Sequence, residues 1–496
     1  MGCTAKSNVK AYFSSLDSQQ SDILLRVGLV LISLMVLFLS GCTAFSSDGG
    51  FSSVATLARE RLDKDLMWAK TEADHDIISG RITELLNNPL SVDDAVQIAL
   101  LNNRGLQAAF AELSMSEADL VQAGRLPNPA FSMLRASRST GSGREYSIDQ
   151  ALIFNIFSLV TMPQAVAIER RRFEQTQRSV SLTMLRLASE TRKAYYTALA
   201  ADEAVRYQRQ VHQAAEVSAE LARRLVKVGN WNTLQQAREQ SFYAEAVLNL
   251  TRTEQIASSA RERLIRLLGL SGEQTRFSLP ERLPDLPKTL NILSDIEQIA
   301  IAQRLDLQAV RLQTEALAKN LGLTKTTRFI NVLEFGPSRA LDGAADSGYR
   351  TGYQVSFELP LFDWGSAKVA KAEAIYMQAI NMAAEIAVNA RSEVREAYQA
   401  YHNNYAIARH YRDEIIPNKK RISEENQLRY NGMLISVFEL LAEARSQIIS
   451  VNSYIDALRD FWIAQADLEM ALIGKPNFAT RFTESMSISS DATSGH

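Results

Sequence analysis

The stretch Gly352-Tyr-Gln-Val-Ser-Phe-Glu-Leu-Pro-Leu-Phe-Asp-Trp-Gly365 is followed by an apolar-periodic run with no strong turn signal before Tyr430-Asn431-Gly432. Tyr353, Val355, Phe357 and Leu359 alternate with Gln354, Ser356 and Glu358. This period-2 pattern predicts a strand over 352–361 lying between an apolar and a polar medium. A soluble sheet edge and a membrane barrel wall both satisfy it. The run behind the strand predicts a helix of about 65 residues, on the order of 100 Å long at about 1.5 Å per residue. Ordinary globular helices are far shorter.

Outside this stretch, composition narrows the function classes. The 54 Lys and Arg nearly balance the 56 Asp and Glu, leaving a net charge of −2 and no basic field for nucleic acid. Prolines are absent between Pro163 and Pro280, as long uninterrupted helices require. Cys3 and Cys42 are the two cysteines, so the chain beyond them can hold neither an internal disulfide nor a thiolate metal site.

Residues 1–41 have the layout of a signal peptide, with Lys6, Lys10 and Arg26 ahead of the apolar run Val27 to Leu39. The ending Leu39-Ser40-Gly41-Cys42 resembles the bacterial lipobox, which implies lipidation of Cys42, and Thr43 after it points to the outer membrane. An uncleaved N-terminal anchor is the alternative. No other window holds about 18 consecutive apolar residues, so the mature chain would cross a membrane only as strands.

Taken in order, residues 42–89 read as a lipid-anchored tether and arm, with Ser46 to Ser53 flexible. A helix is expected from Ser91 to Gly124, its first turn carrying Asp93 and Asp94. A hairpin follows, with strands near 130–137 and 145–157 around a polar Gly/Ser tip. Pro163 opens a long helix to the turn at Val228-Gly229-Asn230, and a return helix covers Leu234 to Leu268. After a linker at 281–292 the programme repeats: a helix from Asp295 to Thr324, a strand near 329–336, a loop from Ser338 to Arg350, the opening strand, the long helix, the turn at Asn431-Gly432-Met433 and a return helix to Ile473.

The repetition is visible residue by residue. Gln97-Ile98-Ala99 matches Gln298-Ile299-Ala300, and Leu106-Gln107-Ala108 matches Leu307-Gln308-Ala309, both at an offset of 201. Glu190, Arg192, Ala194 and Tyr195 match Glu393, Arg395, Ala397 and Tyr398 at 203; Gly229 pairs with Gly432 at 203 and Gly269 with Gly474 at 205. Residues 90–280 and 293–475 therefore read as two copies of one unit, with hairpins at about 130–157 and 329–361 and a flexible tail at 476–496. Four strands in lipid leave two bare edges, so several chains must close the wall; two chains would give eight strands and three would give twelve.

Duplicated halves, Leu126-Pro-Asn-Pro129 before the first hairpin, and Leu359-Pro-Leu-Phe-Asp-Trp-Gly365 at the second strand-to-helix junction resemble the TolC-type outer-membrane efflux proteins, in particular their lipoprotein branch. The resemblance covers about residues 90–475. It implies a mainly α fold with a membrane β-barrel: a homotrimer whose twelve-stranded barrel is continuous with a periplasmic α-helical tunnel. It further implies an exit duct in the outer membrane that works with a periplasmic adaptor (membrane fusion) protein and an inner-membrane efflux pump. Outer-membrane lipid would surround the barrel. A lipid-tethered periplasmic coiled-coil scaffold without a pore is the alternative.

On this resemblance Val228, Gly229, Asn230, Asn431, Gly432 and Met433 form adaptor-contact tips, both glycines being suited to positive φ. Glu439 and Glu443, four apart on one helix face, are candidates for a cation-attracting pore constriction, with a solvated helix face as the alternative. Pro163, Pro360 and Gly365 mark the barrel-to-helix junctions. Glu169-Arg170-Arg171-Arg172 reads as a basic collar or as plain helix-surface charge, Tyr353 and Trp364 as part of an aromatic belt or as core packing, and Pro417 as a kink. Five scattered histidines give no metal site, no phosphate-binding loop is present, and neither a cofactor nor enzymatic chemistry is expected.

Overall fold

The computed structural model describes residues 45–478 except 142, 291, 293, 331 and 344–347. Cys42, the signal peptide and the tail beyond Phe478 lie outside them. The chain divides into two compact units. Among the described residues, one comprises 45–49, Met115–Phe173 and Glu315–Tyr376; the other comprises Gly50–Ser114, Glu174–Thr314 and 377–478.

The elements run α1 (Phe51–Leu62), α2 (Glu72–Leu86), α3 (Val92–Asn102), α4 (Arg104–Ala123), β1 (Ala130–Thr140), β2 (Gly143–Asn155), α5 (Ile156–Lys227) and α6 (Thr233–Leu268). They continue as α7 (Ile296–Gln303), α8 (Leu305–Thr327), β3 (Leu333–Gly343), β4 (Arg350–Phe357), α9 (Ser366–His410), a π-turn (Tyr411–Ile415), α10 (Ile416–Asn431) and α11 (Val437–Ile473). No helix among the described residues is long and apolar enough to cross a membrane.

In the first unit the four strands form one antiparallel sheet in the order β1-β2-β3-β4. Several boundaries differ from expectation. Residues 338–343, read as loop, are strand, and β4 stops at Phe357 rather than continuing to 361. The last β3–β4 pair is Leu333 with Phe357, and Pro360, which has no N–H to offer, sits in the irregular connector beyond it. Helix α5 begins well before Pro163, at Ile156, where Asn155 Oδ1 accepts from Ser158 N at 2.9 Å and caps the first turn. Pro163 therefore lies inside the helix and does not open it. It leaves the Leu159 carbonyl without its usual donor.

The second unit is helical. Ser91 caps α3, its hydroxyl accepting from Asp94 N at 3.1 Å, with Asp93 and Asp94 in the first turn. The continuous helix expected from Ser91 to Gly124 is broken at Asn103 (φ −64°, ψ 117°), whose side chain accepts from Leu106 N and starts α4 afresh. The expected helix from Asp295 is broken in the same way at Arg304 (φ −64°, ψ 123°), the position that answers to Asn103 in the second copy.

Arg304 is fully buried. Burial works against its charge, but Asp306 and Glu393, each with an oxygen 2.7 Å from Nη2, outweigh that effect and raise its pKa.

One apolar core joins Leu101, Leu199, Leu264, Val394, Tyr401 and Phe461 from α3, α5, α6, α9 and α11. A second joins α1, α3, α4 and α5 through Val54, Val96, Leu100, Phe110 and Met184, with Leu305. Phe51, expected in the flexible tether, packs edge-on against Phe110 with ring centroids 5.0 Å apart. The proline-marked linker is also packed: Leu283 and Leu286 are buried, and its carbonyls accept from Trp462 Nε1 (at Pro284) and from Tyr405 Oη (at Pro287). Deep in the first core the Tyr195 hydroxyl donates to Leu90 O at 2.9 Å, and burial pushes its pKa up to about 12.

Candidate functional site

Two regions gather the residues singled out above. The first is the sheet. Partners in antiparallel register share a face, so the pairs Phe131–Leu152, Phe154–Phe335, Phe335–Val355, Pro337–Tyr353 and Leu333–Phe357 place one apolar band across all four strands. Its large side chains other than the half-buried Leu333 are exposed; Tyr353 has 78% of its surface accessible and stacks on Phe335 at 5.6 Å. Further along this face come Gln150, Arg339 and Arg135, the last over the Tyr146 ring at 5.5 Å.

The opposite face carries Ser132, Ser147, Asp149, Ser338, Asp342, Gln354 and Ser356, with Leu134 and Ile153 the large apolar exceptions among small alanines. There Ser147 donates to Asp342 at 3.0 Å, Arg350 pairs with Asp342, and a concavity of about 330 Å³ is lined by Asp149, Ser338 and Gln354 among others.

The connector 358–365 leads into α9. Leu359, Leu361, Trp364 and above all Phe362, 98% exposed, project from it. Gly365 takes φ +72°, its N–H donates to Asp363 Oδ1 at 2.8 Å, and a Cβ there would lie 2.7 Å from Arg328 O. Only glycine fits that position. Trp364 packs edge-on against Phe329 at 6.0 Å. Of the arginine collar, Arg171 pairs with Glu315 at 3.2 Å and Arg172 with Glu169 at 2.7 Å.

The second region is the pair of helix turns. At the first, Gly229 takes φ +77°, Asn230 N donates to Leu225 O at 2.9 Å, and Asn232 and Gln235 form a reciprocal capping box for α6. At the second, Asn431 still belongs to α10, Gly432 has φ −80°, and the positive angle (+60°) falls on Met433. The expectation that Gly432 supplies the left-handed residue is thus corrected. Leu434 N donates to Arg429 O, Met433 N to Tyr430 O, and Ser436 caps α11. In the first turn Asn230, Gly229 and Asn232 play these three parts, so the structural counterpart of Gly229 is Met433, one place beyond the glycine that sequence alignment pairs with it. Val228, Met433 (93% exposed) and Leu434 leave an apolar surface on the turns.

The extra residue in the second half is absorbed by the π-turn. Ile416 N donates to Tyr411 O, one residue further back than in an α-helix. Pro417, expected to kink the helix, follows immediately, and the carbonyl it cannot serve belongs to Asp413 within the π-turn.

Glu439 lies in the capped first turn of α11 and is exposed. Glu443 is held within the chain, its carboxylate 3.1 Å from Lys419 Nζ, which also donates to Ser446 at 2.6 Å. A further ion pair escaped the sequence reading. Glu239 of α6, 1% exposed, accepts from Arg445 Nη2 at 2.9 Å and from Ser218 Oγ at 2.8 Å, while the Arg445 guanidinium lies over Phe242. Beside it opens a cleft of about 580 Å³ lined by Arg238, Arg252 and Asn249 among others. Glu239 and Arg445 are far apart along the chain, and no local pattern marks them.

Residues 95–270 match the family model described as outer membrane efflux protein. The chain resembles the outer membrane efflux proteins. No curated protein sequence matches it. Among solved structures it is similar to a membrane protein from Pseudomonas aeruginosa, with 19% identity over 77% of this chain and 93% of that one and a TM-score of 0.66. The Campylobacter jejuni CmeC outer membrane channel gives 17% identity, 77% and 85% coverage and a TM-score of 0.64. The open state of the Neisseria gonorrhoeae MtrE outer membrane channel gives 17%, 77% and 89%, and 0.59. At these identities the likeness establishes the outer-membrane-channel fold.

Proposed function

We propose that the protein is the outer-membrane exit duct of a tripartite efflux system. Three copies close a twelve-stranded barrel continuous with a periplasmic helical tunnel, each anchored by lipid at Cys42. The observation that carries this reading is the sheet: four antiparallel strands whose outer edges at β1 and β4 are unpaired among the described residues, an exposed apolar band on one face and a polar face opposite. An apolar band of this kind belongs against hydrocarbon, and bare edges in hydrocarbon cost several kcal/mol per unpaired group. Edge pairing between copies removes that cost and turns the polar faces inward around a water-filled lumen. The family match and the channel-like fold support the same reading.

Transport is passive. An inner-membrane pump supplies substrate and energy, and a periplasmic adaptor engages the turns at Val228-Gly229-Asn230 and Asn431-Gly432-Met433. Glu439 from three chains forms a cation-attracting constriction, with Glu443 set back against Lys419. The adaptor favours an open packing of the turn helices because it binds that packing more tightly.

Planar-bilayer conductance of the purified protein tests the duct. The expected result is a small or closed pore in the wild type that enlarges after Glu439→Ala or loosening of the turns; no pore in any variant would reject it. Extraction separates the duct from a tethered scaffold. With Cys42→Ala, a barrel stays in the membrane fraction at high salt and a scaffold is released.

A further inference from the structure

The two faces of the sheet differ in where their charges stand. Among the described residues every carboxylate on the strands, Glu145, Asp149, Glu334 and Asp342, lies on the polar face. There Arg138 stands opposite Glu145, and Arg350 pairs with Asp342. Arg135, Arg144 and Arg339 lie on the other face, the one that carries the apolar band, and all three are exposed. No carboxylate among the described strand residues shares that face, so none of the three has an acidic neighbour there to neutralise it.

Along the strands this face is graded. Beside the helices it is apolar, from the Leu333–Phe357 pair to Phe131–Leu152 and Pro337–Tyr353. The next two rows of paired residues are mixed: Met133 and Gln150 with Arg339 and Thr351, then Arg135 and Ile148 with Leu341. Beyond them come Ser137–Tyr146 and Ser139–Arg144, close to the Thr140–Gly143 pair that ends the first hairpin. Both arginines of the mixed rows lean toward the hairpin tips. Arg135 lies over Tyr146 at 5.5 Å, a ring two residues tipward of its cross-strand partner Ile148; Arg339 lies over Tyr349 at 5.6 Å, two residues tipward of its partner Thr351. By strand rise, each charge is thereby carried about 7 Å further from the apolar band.

We infer that Arg135, Arg144 and Arg339, with Tyr146 and Tyr349, form a site for the phosphate groups of anionic lipid headgroups in the leaflet nearest the hairpin tips. The inference rests on the duct reading, which turns this face to lipid. The gradient from apolar through mixed to polar rows puts the guanidiniums where hydrocarbon gives way to headgroups, on the side of the wall away from the lumen. A guanidinium lying over a ring keeps the N–H donors of its edge free. Those donors match two oxygens of one phosphate, a geometry that a point charge does not offer. A carboxylate on the same face would compete for the fork and repel the phosphate; the strand carboxylates all stand on the opposite face. Uncompensated positive charge favours a headgroup with net negative charge over a zwitterionic one.

Lipid retention by the full-length protein tests this. Wild type and variants are reconstituted in phosphatidylcholine vesicles containing diphosphoryl lipid A or its enzymatically dephosphorylated form, then extracted in mild detergent. The lipid retained per heat-modifiable oligomer is measured by mass spectrometry, so a variant that assembles poorly is still read. The expected result is retention of the diphosphoryl form alone. It should fall about fivefold for each of Arg135→Gln, Arg144→Gln and Arg339→Gln, the fold-change given by about 1 kcal/mol per basic residue at an anionic surface. Arg138→Gln and Arg350→Gln, on the polar face, should leave retention unchanged. Excess inorganic phosphate should not displace the lipid; displacement would overturn the lipid assignment in favour of a soluble anion. Equal retention of the two lipid forms, or retention indifferent to the three arginines of the apolar face, overturns the inference while an intact oligomer leaves the duct standing. A wild type that forms no membrane-embedded oligomer rejects the duct, and the site with it.

Discussion

Val355 and Gln354 are adjacent on β4, share its backbone environment and are both exposed, yet they face opposite sides of the sheet. Val355 opposes Phe335 within the apolar band; Gln354 opposes Gly336 on the polar face. An arginine at each therefore isolates the effect of the face. On a lipid-facing wall, Val355→Arg costs about 2–4 kcal/mol per chain near the bilayer midplane, or about 6–12 kcal/mol for three chains. Gln354→Arg, directed into a wet lumen, costs within about 0.5 kcal/mol, as surface changes do. The assay is the fraction of chain recovered as heat-modifiable oligomer in isolated outer membranes, with urea midpoints for whatever assembles. Val355→Arg should abolish the oligomer while Gln354→Arg leaves it intact. Equal losses, or loss only for Gln354→Arg, would refute the assignment of faces and the barrel built from them.

Three further outcomes are expected. Gly365→Ala should destabilise the β4–α9 junction by well over the roughly 1–2 kcal/mol of a left-handed residue, because its Cβ also meets Arg328 backbone; Gly229→Ala, with open space around it, should cost only that roughly 1–2 kcal/mol, and denaturant midpoints compare them. Arg304→Met leaves the half-buried Asp306 and Glu393 without their cation and should cost about 3 kcal/mol, with hydrogen exchange accelerating first in α7 and α8. Burial raises the Glu203 carboxyl above its ordinary 4.5, against the bond it accepts from Leu283 N, so the folded chain holds that proton more tightly than the unfolded one. Its contribution is present below the unfolded value and lost as pH rises through the folded value. Glu203→Gln should flatten that part of the thermal midpoint's pH dependence, and an unchanged slope would reject the assignment.

Much of the fold was legible because long helices and turns write themselves locally. The return helix from Leu234, the interruption of the α-helix just ahead of Pro417 and the positive φ at Gly229 all follow from nearest-neighbour chemistry. The breaks at Asn103 and Arg304 were not, since no proline marks either and only the first has a glycine near it, Gly105; one is made by an asparagine cap, and at the other a buried arginine is held by Asp306 and the distant Glu393. The strands near 130 and 333 alternate poorly when read singly, and the apolar band emerges only when register pools Phe131, Phe154, Phe335 and Val355 from four strands. Glu239 and Arg445 belong to the same class, their meaning lying in a partner far along the chain. At the second turn a glycine drew attention one residue away from Met433, the position that takes the strain.

The π-turn at Tyr411–Ile415 bears on how the two halves present themselves. An extra residue in a plain α-helix would rotate everything beyond it by about 100°. By widening a single turn, the second half takes up its surplus residue, and the turn beyond it keeps the first turn's hydrogen-bond pattern with Met433 in the place of Gly229. Each chain then presents the same backbone path twice, with glycine at the left-handed position of one turn and methionine at that of the other. A partner that reads backbone would accept both turns alike, and one that reads side chains would tell them apart.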